Sequence, residues 1–288
     1  MRHLRLASAA IVGATIFSTL VPFTNAAHAA MTPSACANLT SNEFSKGKLT
    51  VATDNPVYSP WFINNKPSSG KGYESAVVYA LAKVMGVASK NVRWVTENFD
   101  ASYTPGSKSF DFDINEISYS ADRAKAVTFS KSYYDVQQSI IALKTNAIVK
   151  KHSAADLKNY LYGDQIGTTG LTYINTQIKP TKTPRVYSTL NDAVAALQSG
   201  QIDALVIDTP TGEYMASAQI MNSKKKLTAT QVGQFPSVGE HYGLLFQKGS
   251  KLAGCVNAAI DTLRTNGTLS SLAKKWLGLY TSVPVLKP

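Results

Sequence analysis

The run FDFDINEISYSADR, residues 110–123, carries two patterns in succession. Phe110, Phe112 and Ile114 alternate with Asp111, Asp113 and Asn115, the period-two signature of a strand. The polar stretch from Asn115 to Ser120 ends that strand, and Ser120, followed by Asp122 and Arg123, reads as the cap of a short helix. A strand that delivers polar side chains and a helix start at its carboxyl end has the geometry at which open parallel sheets bind ligands.

Working outward, residues 48–53 form a β-branched strand that enters a turn at Asp54-Asn55-Pro56, followed by an aromatic loop at Tyr58-Ser59-Pro60-Trp61-Phe62. Gly72 precedes a helix over 73–85 whose Val77, Val78, Leu81 and Met85 share one face, and residues 92–95 are the next strand. Strand, helix and strand in that order predict a parallel α/β sheet. After a strand over 139–143 the pattern restarts. Residues 165–169 read as strand and turn, with a helix from about Thr172, a strand over 184–187, a helix over 190–199 and a buried strand over 202–208 that ends in Asp208. A strand over 242–246 and helices over 252–265 and 269–277 complete the first unit. The expectation is two α/β lobes, residues 30–143 with 239–288 and residues 144–238, with the chain crossing near 143–147 and again near 235–239.

The first 29 residues read as a secretory leader: Arg2 and Arg5, an apolar run from Ala7 to Phe23, and small residues around Ala27, Ala29 and Ala30 for the cleavage site. The remainder has no run of ~18 apolar residues, so no membrane span is expected. The full chain of 288 residues carries 29 basic and 18 acidic residues, and loss of Arg2 and Arg5 with the leader leaves a net charge of +9. The lysines are dispersed and not interleaved with aromatics, which speaks against nucleic-acid binding. Export makes a disulfide between Cys36 and Cys255 the expected state of the two cysteines, stabilising by about 3–5 kcal/mol on the chain-entropy account. Lipid attachment at Cys36 is the lesser alternative, because Pro33 stands where an aliphatic residue belongs.

The polar candidates cluster after strand ends: Asp54 and Tyr58, then Asn115, Glu116, Ser118, Ser120 and Arg123, then Thr172, then Asp208. A zwitterionic amino acid needs a forked cation for its carboxylate and a carboxylate for its ammonium, and Arg123 and Asp208 are of those types. Arg123 reads equally as a surface ion pair with Asp122 or Asp135, and Asp208 as a turn acid before Thr209-Pro210. Tyr58 and Trp61 would wall an apolar part of the ligand or pack locally. Glu116 needs a cationic partner if buried, and otherwise faces solvent or a lysine.

Six ordered pieces resemble the type 3 extracellular solute-binding proteins for polar amino acids, from about Leu49 to Leu277. They are Thr53-Asp54 with Tyr58 to Trp61; Gly72-Tyr73-Glu74; Asp111 through Arg123; Phe129-Ser130 with Tyr133-Tyr134; Ala193 to Ala204 with Asp208; and Tyr242-Gly243 before the final helices. The resemblance implies the two-lobe periplasmic-binding-protein fold of type II, without cofactor or metal. It implies a monomer that hands a free amino acid to an ABC permease in the inner membrane. It further implies that Arg123 clamps the ligand carboxylate with help from Ser118 and Thr172, that Asp208 holds the ammonium, and that Tyr58 and Trp61 wall the side-chain pocket. Leu171-Thr172-Tyr173 is matched to the usual Gly-Thr-Thr of the second lobe, and Glu116 replaces a usual small residue. That replacement makes a basic amino acid the ligand hypothesis. The competing class is an exported dehydratase-like enzyme acting on a small carboxylic acid, with Glu116, Glu74 or His241 recruited as acid or base. No dyad or triad is legible, and His152 and His241 lack metal-ligand spacing.

Overall fold

A computed structural model describes residues 48–151, 153–278 and 283–287. Two five-stranded sheets organise the chain. The first runs in the order β2-β1-β3-β10-β4, from β1 (Leu49–Thr53), β2 (Val92–Thr96), β3 (Phe112–Asp113), β4 (Thr128–Asp135) and β10 (His241–Phe246). The second runs β7-β6-β8-β5-β9, from β5 (Gln138–Leu143), β6 (Tyr162–Gln165), β7 (Arg185–Tyr187), β8 (Ala204–Asp208) and β9 (Ala229–Gln234). The two orders are the same plan. Each sheet has three parallel strands and then an antiparallel one, β10 in the first and β5 in the second; β10 returns to the first sheet after β5 to β9 have built the second.

Helix α1 (Tyr73–Val84) covers the first sheet, and its Val77, Val78, Leu81 and Ala82 are fully buried. They meet α7 (Leu252–Thr265) through Val256, Ala259 and Ile260, and α8 (Thr268–Leu277) through Leu269 and Leu277. All five residues of β1 are buried, as expected of a strand covered on both faces. Gly72 starts α1 with φ 98, and an added Cβ would lie 2.2 Å from the carbonyl oxygen of Trp61, so only glycine lets the aromatic loop pack there. The second lobe is held by α5 (Leu190–Gln198), whose Ala193, Val194, Ala196 and Leu197 are buried, and by α6 (Thr209–Tyr214), which leaves directly from β8.

Three expectations are corrected. The first crossing lies at Val136-Gln137, not near 143–147, because β5 pairs antiparallel with both β8 and β9 and so belongs wholly to the second sheet. The second crossing spans 235–240 and runs beside the first: Val136 N donates to Glu240 O (3.0 Å) and Phe235 N to Gln138 O (2.8 Å). Residues 283–287 pack on the second lobe rather than the first, with Val285 bridging to Gln234 and Leu286 entering that lobe's core. Finally, the strand expected over 165–169 is β6, which ends at Gln165, and the helix expected from Thr172 begins earlier as α4 (Thr169–Tyr173). Thr168 is the cap that moves this boundary, its Oγ1 accepting from Leu171 N at 3.1 Å.

Cys36 and the leader lie outside the described residues. Cys255 is buried on α7 and is disulfide-bonded.

Candidate functional site

The carboxyl ends of β1, β3, β6 and β8 face one another across a cleft of ≈ 630 Å³ that is open in part to solvent. The first lobe brings Asp54, Tyr58, Phe99, Asn115, Glu116, Ser118 and Arg123 to it; the second brings Gln138, Asp164, Gln165, Thr168, Thr169, Gly170, Asp208 and Thr211.

Arg123 opens the four-residue helix α3 (Arg123–Ala126), and its backbone N–H donates to Ser120 Oγ at 3.1 Å. Its Nη1 donates to Ser118 O (2.7 Å), and its Nη2 reaches across the cleft to Gly167 O (2.8 Å). The guanidinium lies 4.6 Å from the centre of the Tyr103 ring and 5.5 Å from that of Phe99, which opens α2 (Phe99–Ser102), a cation–π arrangement that fixes the fork. The surface ion pair allowed for Arg123 is excluded. Asp122 instead pairs with Lys125 at 2.6 Å, and Asp135 accepts from Ser132.

Asp208 ends β8, and its Oδ1 accepts from Gln138 Nε2 at 2.6 Å. Burial, then the charge of Glu240, pushes its carboxyl up to about 7. Gln138 Nε2 also reaches Glu240 Oε1 (3.1 Å) and Thr169 Oγ1 (3.2 Å), while Ser118 Oγ donates to that same Glu240 oxygen at 2.6 Å.

At the other end, Glu116 adopts a left-handed φ of 54, a strained conformation for a glutamate. Its N–H donates to Glu74 Oε1 (2.8 Å), an oxygen that also accepts from the Tyr133 hydroxyl. Thr211 Oγ1 donates to Glu116 Oε2 at 2.9 Å and accepts from Trp61 Nε1 at 2.7 Å, so a chain of bonds passes from lobe to lobe. Burial and the neighbouring acids raise Glu116 well above the usual carboxylate range, and burial raises Glu74 to about 7. Tyr58 donates across the cleft to Asn191 Oδ1 at 3.0 Å, and its phenol is pushed up to about 12 by burial, then by Asp54 and Glu116.

The structure thus brings together Asp54, Tyr58, Asn115, Glu116, Ser118, Arg123 and Asp208. Three other candidates stand elsewhere. Trp61 is fully buried behind the cleft, edge-on to Tyr73, Tyr134 and Tyr242, so it braces the wall instead of forming it. Ser120 acts on Arg123 through the backbone. The exposed hydroxyl of Thr172 turns back to its own helix, donating to Thr168 O at 3.2 Å. The second-lobe contacts come one turn earlier, at Thr168, Thr169 and Gly170, and the sequence carries the signal in Gly167-Thr168-Thr169. An added Cβ at Gly170 would lie 2.1 Å from Val206 O, the close approach that the tripeptide 171–173 lacks. Phe99, Gln138, Asp164, Gln165, Thr211 and Glu240 had no local motif to mark them.

Among the described residues, no histidine or cysteine lines the cleft and no group of three His, Cys, Asp or Glu is placed to hold a metal ion. His241 stacks on Tyr119 outside it. Charge is lopsided: among the described residues, Asp54, Glu116, Asp164 and Asp208 line the cleft against one cation, Arg123.

The family described as bacterial extracellular solute-binding proteins, family 3, matches residues 49–279. The L-arginine-binding protein of Pseudomonas aeruginosa is 28% identical over 238 residues, covering 79% of this chain and 90% of the relative. The probable histidine-binding protein of Campylobacter jejuni is 29% identical over 264 residues, covering 89% and 96%. Among solved structures, an ancestral arginine-binding protein bound to glutamine gives a TM-score of 0.67 at 27% identity, covering 81% of this chain and 99% of its own.

Proposed function

The chain belongs to family 3 of the bacterial extracellular solute-binding proteins, and we propose that it captures a free amino acid with a cationic side chain between its lobes and delivers it to an ABC importer. The observation that carries the choice of side chain is Glu116. Its carboxylate lines the cleft on a strained backbone, with Asp54 at the same end and, among the described residues, no cation bonded to it. Burying such a group is unfavourable unless a positive charge arrives, and a ligand's guanidinium or ammonium supplies one. At the opposite end, Arg123 offers a fork to the α-carboxylate, with the N-terminus of α4 across from it, and Asp208 faces the α-ammonium. The arginine- and histidine-binding relatives support a cationic side chain, and the cystine- and glutamine-binding ones support the amino-acid class alone.

Closure supplies the signal for transport. Bonds from Arg123 to Gly167, Tyr58 to Asn191 and Trp61 to Thr211 join the lobes only when they meet, so the importer can distinguish a loaded, closed form by shape. The leader in residues 1–29 supports export to the periplasm, where the mature protein acts as a monomer beside an inner-membrane permease.

The test is calorimetric titration of ligand-stripped protein with L-arginine, L-lysine, L-histidine, L-glutamine and L-citrulline. Saturable one-site binding led by a cationic amino acid is expected. Tighter binding of the neutral L-citrulline than of L-arginine would overturn the assignment to Glu116.

A further inference from the structure

We propose that Glu240 is a positioning residue for the ligand's α-ammonium, acting through Ser118 and Gln138; this rests on the amino-acid reading above. Glu240 lies on the second crossing, one residue before β10. Its Oε1 accepts from Ser118 Oγ at 2.6 Å and from Gln138 Nε2 at 3.1 Å, and the carboxylate also faces the Tyr173 hydroxyl.

A serine hydroxyl has one proton and two lone pairs. With that proton committed to Glu240, Ser118 meets a ligand only as an acceptor. An acceptor suits an ammonium and repels a carboxylate, so Ser118 works with Asp208 and not with Arg123, whose side chain already bonds the Ser118 carbonyl. Gln138 makes the same point from the other lobe. Its amide nitrogen sits between Asp208 Oδ1 at 2.6 Å and Glu240 Oε1, which fixes the amide with its donors toward both carboxylates. The α-end of the cleft therefore holds two carboxylates, Asp208 and Glu240, against one guanidinium. A zwitterion leaves that end one negative charge in excess, so the field there favours a fully protonated ammonium whatever the ligand's side chain is. This separates Glu240 from Glu116, which meets the side chain.

The experiment measures Glu240→Gln by calorimetry. The substitution keeps the shape and an acceptor for Ser118 while removing the charge. L-arginine and L-citrulline should both weaken by the same factor, about tenfold for the loss of a charge-assisted bond. 5-Guanidinopentanoate, which lacks the α-ammonium, is titrated until it displaces L-arginine, and its affinity should change by less than about twofold because the partner of Glu240 is missing. If Glu240→Gln fails to fold, Ser118→Ala removes the relaying hydroxyl and should give the same pattern. Unchanged affinity for L-arginine overturns the inference. So does an equal loss for 5-guanidinopentanoate, which would mark a structural role in the crossing, or a loss confined to L-arginine, which would make Glu240 a side-chain contact. Failure of the unsubstituted protein to bind any amino acid would overturn the functional reading and this inference with it.

Discussion

Glu116 concentrates the chemistry of the cleft in one residue: a left-handed backbone, an N–H held by Glu74 and a carboxylate bonded to the opposite lobe. Replacing it by glutamine keeps the size and the Thr211 bond and removes the charge. We expect Glu116→Gln to weaken L-arginine by about tenfold or more and to leave L-citrulline nearly unchanged, since the loss is that of a charge-assisted contact; calorimetry on the two ligands checks it. The acids also set a pH signature. Burial raises Glu74 and Asp208 to about 7, so the folded, ligand-free protein keeps protons that the unfolded chain releases near pH 4. Their contribution to stability is present below about pH 4 and is lost as pH rises through about 7. The ligand-free melting temperature should therefore fall less steeply between about pH 5 and about pH 8 in Glu74→Gln, whose Oε1 still accepts both of its bonds, than in the unsubstituted protein. Binding of a cation runs the opposite way, because it favours the ionised acids: affinity for L-arginine should drop as pH falls from about 8 to about 5.

Helix α4 is the element whose start the sequence reading misplaced, and it makes a direct prediction. Thr168 caps it, so Thr168→Ala should destabilise the protein by about 1 kcal/mol and weaken ligand binding through the shifted N-terminus, as read by denaturant unfolding and titration. Thr172→Ala, three residues into the exposed face, should change neither stability by more than about 0.5 kcal/mol nor affinity by more than about twofold. What the sequence made legible follows from this contrast. β1, α1 and β8 announce themselves by apolar runs and periodicity, Asp208 by ending a strand and Arg123 by following the Ser120 cap signal at a helix start. The start of α4 depends on a single threonine hydroxyl, and the first crossing depends on which sheet β5 joins. The first is a local cap that a Thr-Thr pair leaves ambiguous by a few residues, whereas the second is a tertiary decision, as is the burial of Trp61, whose neighbours Tyr134, Tyr242 and Thr211 are distant in the chain. Gln138 and Glu240 carry no motif at all; they meet only because the two crossings run side by side.

Across the whole molecule, the proposed transport cycle has the two lobes close about the side-by-side crossings, with the cross-cleft bonds favouring the closed form. Thr211 is the shared partner of Trp61 and Glu116. Thr211→Val leaves both buried polar groups unpaired in the closed form and should shift the ligand-free protein toward an open one, seen as a larger radius of gyration in small-angle scattering and as a change in Trp61 fluorescence. Ligand at saturating concentration should restore the closed radius. The central claim, that an amino acid's side-chain cation completes the acidic cleft, is tested most directly by calorimetric comparison of L-arginine with L-citrulline, which differ there by charge at nearly constant shape. The account predicts that L-arginine binds at least about tenfold tighter and that Glu116→Gln erases most of that ratio. Equal affinities, or a ratio untouched by the substitution, would contradict it.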